Sequence, residues 1–322
     1  MYNSYDYFMR IENLKHKNTE LGTSVISSPL PNLSYAKKQR TICKPISFSG
    51  IGLHSGKNVK MILHPAADDS GYTFKIRSGP NSFIEIAADY KNVTSTKLCT
   101  TISNDSGHSI STTEHILSAL YGLNIDNVII ELNANEIPVL DGSSSEFVKS
   151  IIATGTLEQE NFRKVIKIKK SIEVKNGNKI ARVSPHNETM VTCEIEFDSE
   201  IIGHQTISLI LNPDIYNSQI SKARTFGFLE DVNNLRKNNL ALGGSLENAI
   251  VVSKNKILNK NGLRYNDEFV RHKALDLIGD ISLAKFQIVG SIYSFRAGHD
   301  LNNKLLHKIF SSDENWEFAY TS

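Results

Sequence analysis

The chain has 322 residues, 40% hydrophobic and 22% charged, with a net charge of +2 from 36 basic and 34 acidic side chains. This is ordinary globular composition, and the near-balance of charge makes no demand for nucleic acid or an anionic membrane surface as a partner. No run approaches the roughly 20 apolar residues of a membrane helix, and three widely spaced cysteines exclude a disulfide framework and point to a reducing compartment. The expectation is a soluble, cytoplasmic, monomeric protein of about two domains, at roughly 150 residues each.

In chain order, residues 1–37 are rich in Asn, Ser, Tyr and Lys and show no period, which reads as a loosely ordered extension. Two strand-like segments, TICKPISFSG and NVKMILHPA, then flank the Gly-rich link GIGLHSGKN. Residues 111–123 read as a helix, NVIIEL as a strand, Leu140-Asp141-Gly142 as a turn and residues 144–153 as a second helix. Near Phe162 the pattern restarts. RKVIKIKKSIEV and KIARVSP read as a hairpin turning at Lys175-Asn176-Gly177. A helix over 228–237, the strand NAIVV, a long helix over 267–285, the strand QIVGSIYSF and a helix over 302–310 complete the set. Strands do not alternate regularly with helices, so the expected class is α+β, with two similarly built sheet-plus-helices domains at 38–160 and 161–322.

Four segments could carry chemistry. On the helix NDEFVRHKALDLIGDISLAK, His272, Asp276 and Asp280 fall within about 80° of arc, while Val270, Ala274, Leu277, Ile278 and Ile281 take the opposite arc. That polar row is either a solvated face or, through the i,i+4 His-Asp pair, half of a metal site. In Ser111-Thr112-Thr113-Glu114-His115, the spacing of Ser111 and Glu114 fits a capping box. The functional alternative treats the adjacent Glu114 and His115 as a base beside a metal ligand. Gly298 permits a tight turn that would leave His299 exposed at the end of a strand. Thr225, among the aromatics of ARTFGF, either lines a pocket or simply packs. Together these residues supply ligands, a base, an acid and a polar clamp, the kit for metal-assisted hydrolysis.

The stretches GIGLHSGK, TEHILSALYGLNIDN, EIPVLDGSS, ARTFGF, LGGSLENAIVV, DEFVRHKALDLIGD and GHDLNNKLL, in this order over about residues 38–309, resemble the UDP-3-O-acyl-N-acetylglucosamine deacetylase family of lipid A biosynthesis. The resemblance implies two α+β domains with the active site between them. It implies Zn2+, with Fe2+ also suited to the donors, held by His115, His272 and Asp276. It implies Glu114 as general base, Thr225 and His299 as stabilisers of the oxyanion, His299 as the acid for the departing amine, and Asp280 as the orienting partner of His299. Lys273 and Arg296 would face the diphosphate, with Lys179 and Phe197 at the uridine end. Phe226 and Phe228 would contact substrate, and an insert over about 225–252 would form an acyl-chain passage. The partner implied is a UDP-linked acylated amino sugar, with no nucleic acid and with membrane proximity only through the lipid chain. Arg296 stands where the family pattern leads one to expect Lys, and Lys97 where it leads one to expect an apolar residue. The alternatives are a metal amidohydrolase with another amino-sugar substrate, and a non-catalytic nucleotide-sugar or RNA-binding module.

Overall fold

The computed structural model describes residues 37–80, 82–254 and 256–320. The expected N-terminal extension, residues 1–37, lies outside them except for Lys37. Among the described residues the class is α+β, and one continuous apolar core runs through sheets and helices alike. No helix of the described residues is long and apolar enough to cross a membrane.

A first five-stranded sheet contains β1 (Ile46–Ile51), β2 (Asn58–Pro65), β3 (Tyr72–Arg77), β4 (Phe83–Ala87) and β5 (Val128–Leu132), in the order β1-β2-β5-β3-β4. The helices α1 (Glu114–Gly122) and α2 (Ser145–Thr154) flank β5 in sequence. Phe48 of β1 meets Phe147 of α2 edge to face, at 5.1 Å between ring centroids. The second sheet uses β6 (Lys164–Ile168), β7 (Ile172–Asn176), β8 (Lys179–Ser184), β9 (Thr189–Glu196) and β10 (His204–Ile210). The chain then forms β11 (Phe226–Phe228), α3 (Leu229–Lys237), β12 (Ile250–Ser253) and α4 (Glu268–Ile281). It ends with β13 (Gln287–Phe295), α5 (His299–Ile309) and β14 (Trp316–Tyr320).

Both sheets share one plan. The first runs antiparallel from β1 to β2 and from β2 to β5, parallel from β5 to β3, and antiparallel from β3 to β4. The second repeats that sequence of pairings along β7-β8-β13-β9-β10. In each set of five, the fifth strand in chain order inserts between the second and third, with a helix before it and a helix after it. The strict alternation of buried and half-exposed residues along β13 is the period-two signature of a strand packed on one face. Helix α1 packs against α4, so the helical layers of the two halves meet each other.

Several sequence expectations change. RKVIKIKKSIEV is two strands, not one arm of a hairpin. β7 pairs with β8 through the turn at Gly177, whose φ is +59°, whereas β6 pairs with β13 and β14. The strand TICKPISFSG is likewise divided, into Lys38–Ile42 and β1, and Lys38–Ile42 pairs with Thr156–Phe162. The last helix begins at His299, three residues before its expected start, because Gly298 is an extended N-cap at φ −135° and not a tight turn.

Candidate active site

Where α1 crosses α4, the helices approach more closely than side chains normally permit. A Cβ placed on Gly279 would lie 2.1 Å from the carbonyl oxygen of Glu114, so only glycine fits there. This contact brings the first turn of α1 onto the C-terminal half of α4. His115 and His272 face each other edge to face at 5.1 Å, and both Nε2 atoms point to Asp276 Oδ1, at 3.8 and 3.4 Å. All three residues are buried.

The donor atoms suit a cation. His272 Nδ1 donates to the Ala223 carbonyl at 3.0 Å, which leaves the lone pair of Nε2 facing the carboxylate. Burial holds both imidazoles below their ordinary pKa, despite the opposing pull of Asp276, and His272 falls to about 3. Two neutral imidazoles and a carboxylate thus converge without a proton between His272 and Asp276. The 3.4 Å separation is close to the edge of a tetrahedron with arms of roughly 2.0–2.1 Å, the usual arrangement around zinc. Burial alone would raise Asp276, but the Lys273 cation, whose Nζ donates to Oδ2 at 2.8 Å, helps hold it well below the carboxylate range.

A second cluster adjoins the first, with Glu114, Asp276 and His299 also in mutual reach. Glu114 Oε2 accepts the Thr100 N–H at 3.0 Å, and Oε1 lies 3.9 Å from His299 Nε2. Burial pushes the Glu114 carboxyl up to about 7, opposed by the His299 charge and assisted by Asp276 and Asp280. Burial alone would lower His299, but Asp280, 2.8 Å from its Nδ1, and Glu114 carry it up to about 10. Asp280 in turn accepts from Thr100 Oγ1 at 2.6 Å and from Asn302 at 2.8 Å. The arrangement holds a carboxyl near neutrality and a lasting imidazolium side by side. Such a pair can take and give a proton in one reaction.

Three readings of single residues are corrected here. Ser111 does not cap α1, since its hydroxyl donates to the Asn135 carbonyl and Thr113 occupies the N-cap without a side-chain bond. Thr112, at φ +59°, turns the chain so that Glu114 faces inward. The row of His272, Asp276 and Asp280 is no solvated face, for all three are at most 5% exposed. Nor does His299 stand exposed at a strand end; its side chain is 10% exposed in the first turn of α5.

The remaining candidates line the approaches. Thr225, Phe226, Lys273 and Lys179 share a cleft with His299. Lys179, Phe197, Lys273 and Arg296 border a second cleft, where Arg296 pairs with Glu196 at 3.2 Å. Phe226 packs on His272 and Phe197, and Lys273 lies over its ring at 5.3 Å. Phe228 faces an apolar cavity of about 380 Å³ beside Thr225, lined by Leu53, Leu98, Val232, Leu235 and Val251 among others. Thr100, Asn302 and Gly279 were missed from sequence. Thr100 carries no motif, and its partners Glu114 and Asp280 lie 14 and 180 residues away. A glycine inside an otherwise strong helix was the one signal available for Gly279.

An α+β fold with a buried His-His-Asp cluster beside a Glu-His pair defines a metal-hydrolase type of site. The sequence profile of the UDP-3-O-acyl N-acetylglycosamine deacetylase family matches residues 39–311, and the chain belongs to that family. Among similar proteins, the UDP-3-O-acyl-N-acetylglucosamine deacetylase of Haemophilus influenzae (strain 86-028NP) is 44% identical over 284 residues, 88% of this chain and 93% of the relative. Those of Pasteurella multocida and Idiomarina loihiensis are 43% and 42% identical over the same length, and the alignments cover 93% and 92% of those relatives.

Proposed function

We propose that this protein is a zinc-dependent amide hydrolase of lipid A biosynthesis. It would convert UDP-3-O-acyl-N-acetylglucosamine and water to UDP-3-O-acyl-glucosamine and acetate. The observation that carries this reading is the meeting of a neutral His115-His272-Asp276 donor set with the Glu114-His299 pair. Family membership supplies the substrate class. The metal, once held by His115, His272 and Asp276, would supply Lewis acidity to the attacking water and the amide carbonyl.

Glu114, poised near neutrality, takes the proton of the attacking water. Thr225 donates its hydroxyl to the oxygen that becomes negative as the carbonyl carbon turns tetrahedral. His299, cationic through Asp280, stabilises the same oxygen and then gives its proton to the departing amine. Lys273 and Arg296 face the diphosphate, Lys179 and Phe197 the uridine end, and the apolar cavity beyond Thr225 and Phe228 houses the acyl chain. The nucleotide substrate, and three cysteines that are all free thiols, support a cytoplasmic setting.

The test is metal analysis of protein purified without added metal, together with an assay of acetate release from the UDP-sugar substrate. About one zinc per chain and stoichiometric acetate are expected. Iron in its place would replace zinc in the reading. A metal-loaded protein that releases no acetate would overturn the reaction itself.

A further inference from the structure

Among the described residues, four of the nine exposed large apolar side chains belong to one neighbourhood. Leu98, Leu229, Leu242 and Leu246 are 44–51% exposed and come from three separate segments. Leu98, Leu229 and Leu246 line the apolar cavity described above, as does Ala241, the neighbour of Leu242. Three of the four thus border the cavity, and the fourth adjoins a residue that does. The backbone here adopts conformations that side-chain-bearing residues avoid: Leu98 has φ +69°, and Ala241, just before Leu242, has φ +53°. The loop behind is anchored, with the N–H groups of Leu242 and Gly243 donating to the carbonyls of His54 and Leu53. Strained backbone that holds leucines in water is costly twice over, and such patches mark interaction surfaces.

The charges around the patch indicate what covers it. Lys97 adjoins Leu98, while Arg236 and Lys237 close the last turn of α3 and Lys254 and Lys256 lie on the following hairpin. Over residues 228–260, five basic side chains face three acidic ones, Glu230, Asp231 and Glu247. One of these, Glu230, is engaged by the Lys254 N–H. An apolar patch with a basic surround is the pattern that sits at an anionic lipid surface, leucines at acyl depth and Lys or Arg heads among the phosphates.

We propose that the mouth of the apolar cavity docks on the surface of a bilayer containing anionic phospholipid, and that a lipid-bearing substrate or product passes between cavity and bilayer there. The passage of substrate rests on the function proposed above; the docking rests on the exposed patch alone. The contact is shallow and reversible, because four leucines and a few cations fall far short of a membrane anchor.

Sedimentation with phosphatidylglycerol–phosphatidylethanolamine vesicles, with phosphatidylcholine vesicles as the neutral control, tests the docking. Wild-type protein should pellet with anionic vesicles and several-fold less with neutral ones. Leu242→Asp and Lys237→Glu, neither of which lines the cavity, should each cut the pelleted fraction several-fold. Lys237→Glu should keep full acetate release from a short-chain, detergent-free substrate, so its loss of binding is not a loss of fold. Vesicle binding equal to wild type in both variants would overturn the proposal, as would a wild-type protein that ignores anionic vesicles. Concentration-dependent dimers lost in Leu242→Asp would assign the patch to a second copy of this chain instead. Failure of the deacetylation reading would show separately, as absent acetate release from the short-chain substrate by all three proteins.

Discussion

Glu114 shows at the scale of one residue how an amino acid can suit two roles until its surroundings choose. Its spacing from Ser111 is that of a capping box, yet no cap bond forms, and both carboxylate oxygens turn inward to Thr100 and toward His299. Glu114→Gln keeps the size and the Thr100 contact but loses basicity. The expected result is a rate lowered by about 10²–10⁴-fold with metal content unchanged. Normal turnover would return Glu114 to a structural role. The same pair fixes the pH dependence. Glu114 must be ionised, so activity falls as pH drops through its pKa, about 7 without a cation and lower with one beside it. His299 must stay protonated, so activity falls again as pH rises through its pKa, about 10 without a cation and lower with one beside it. A bell between these limbs is expected, and His299→Ala should abolish or displace the basic one. A basic limb unmoved in that variant would belong to another group.

At the scale of elements, the site depends on how closely α1 and α4 approach. Gly279→Ala puts a methyl group into the Glu114 carbonyl, so the helices must separate or tilt. The expected cost is about 1–3 kcal/mol of stability, as for an overpacked core, with a further loss of metal affinity as His115 withdraws from Asp276. Calorimetry and metal titration measure the two effects, and unchanged metal affinity would show that the crossing is not what sets the cluster. The insert allows a separate test. Val232 on α3 is half-buried and faces the apolar cavity, so Val232→Trp should fill the passage. We expect kcat/KM for a long acyl chain to fall about tenfold or more, roughly 1.4 kcal/mol, and that for a short-chain analogue to stay near wild type. Equal losses would place the acyl chain elsewhere. Most of these elements were legible from period and punctuation, and the bounds of β13 match the sequence reading residue for residue. The pairing of β6 was not legible, because a parallel partner more than 100 residues away leaves no local trace. The inward aim of the polar row on α4 was also hidden, since a buried carboxylate and a solvated one read alike until the opposing helix is known.

At the scale of the whole molecule, the repeated strand plan argues that the chain is two copies of one design set face to face. We propose that its halves are separate domains, dividing near residues 160–163, where Thr156–Phe162 ends and β6 begins. The donor set then straddles the division, with His115 from the first half and His272 and Asp276 from the second. A metal held this way ties the halves together and stabilises only the state in which they are correctly joined. By mass action, free metal at a thousand times its dissociation constant would add about 4.1 kcal/mol to the folded state. Chelation should therefore lower the melting temperature by several degrees, and restoring zinc should recover it. The His115→Ala variant separates this linkage from general salt effects, because it leaves one half without its ligand. Its melting temperature should already resemble that of the chelated wild type and should respond little to either treatment. A full metal-dependent shift in His115→Ala would mean that the cation binds within one half. The crossing of α1 and α4 would then serve the Glu114-His299 pair without joining the halves through the metal.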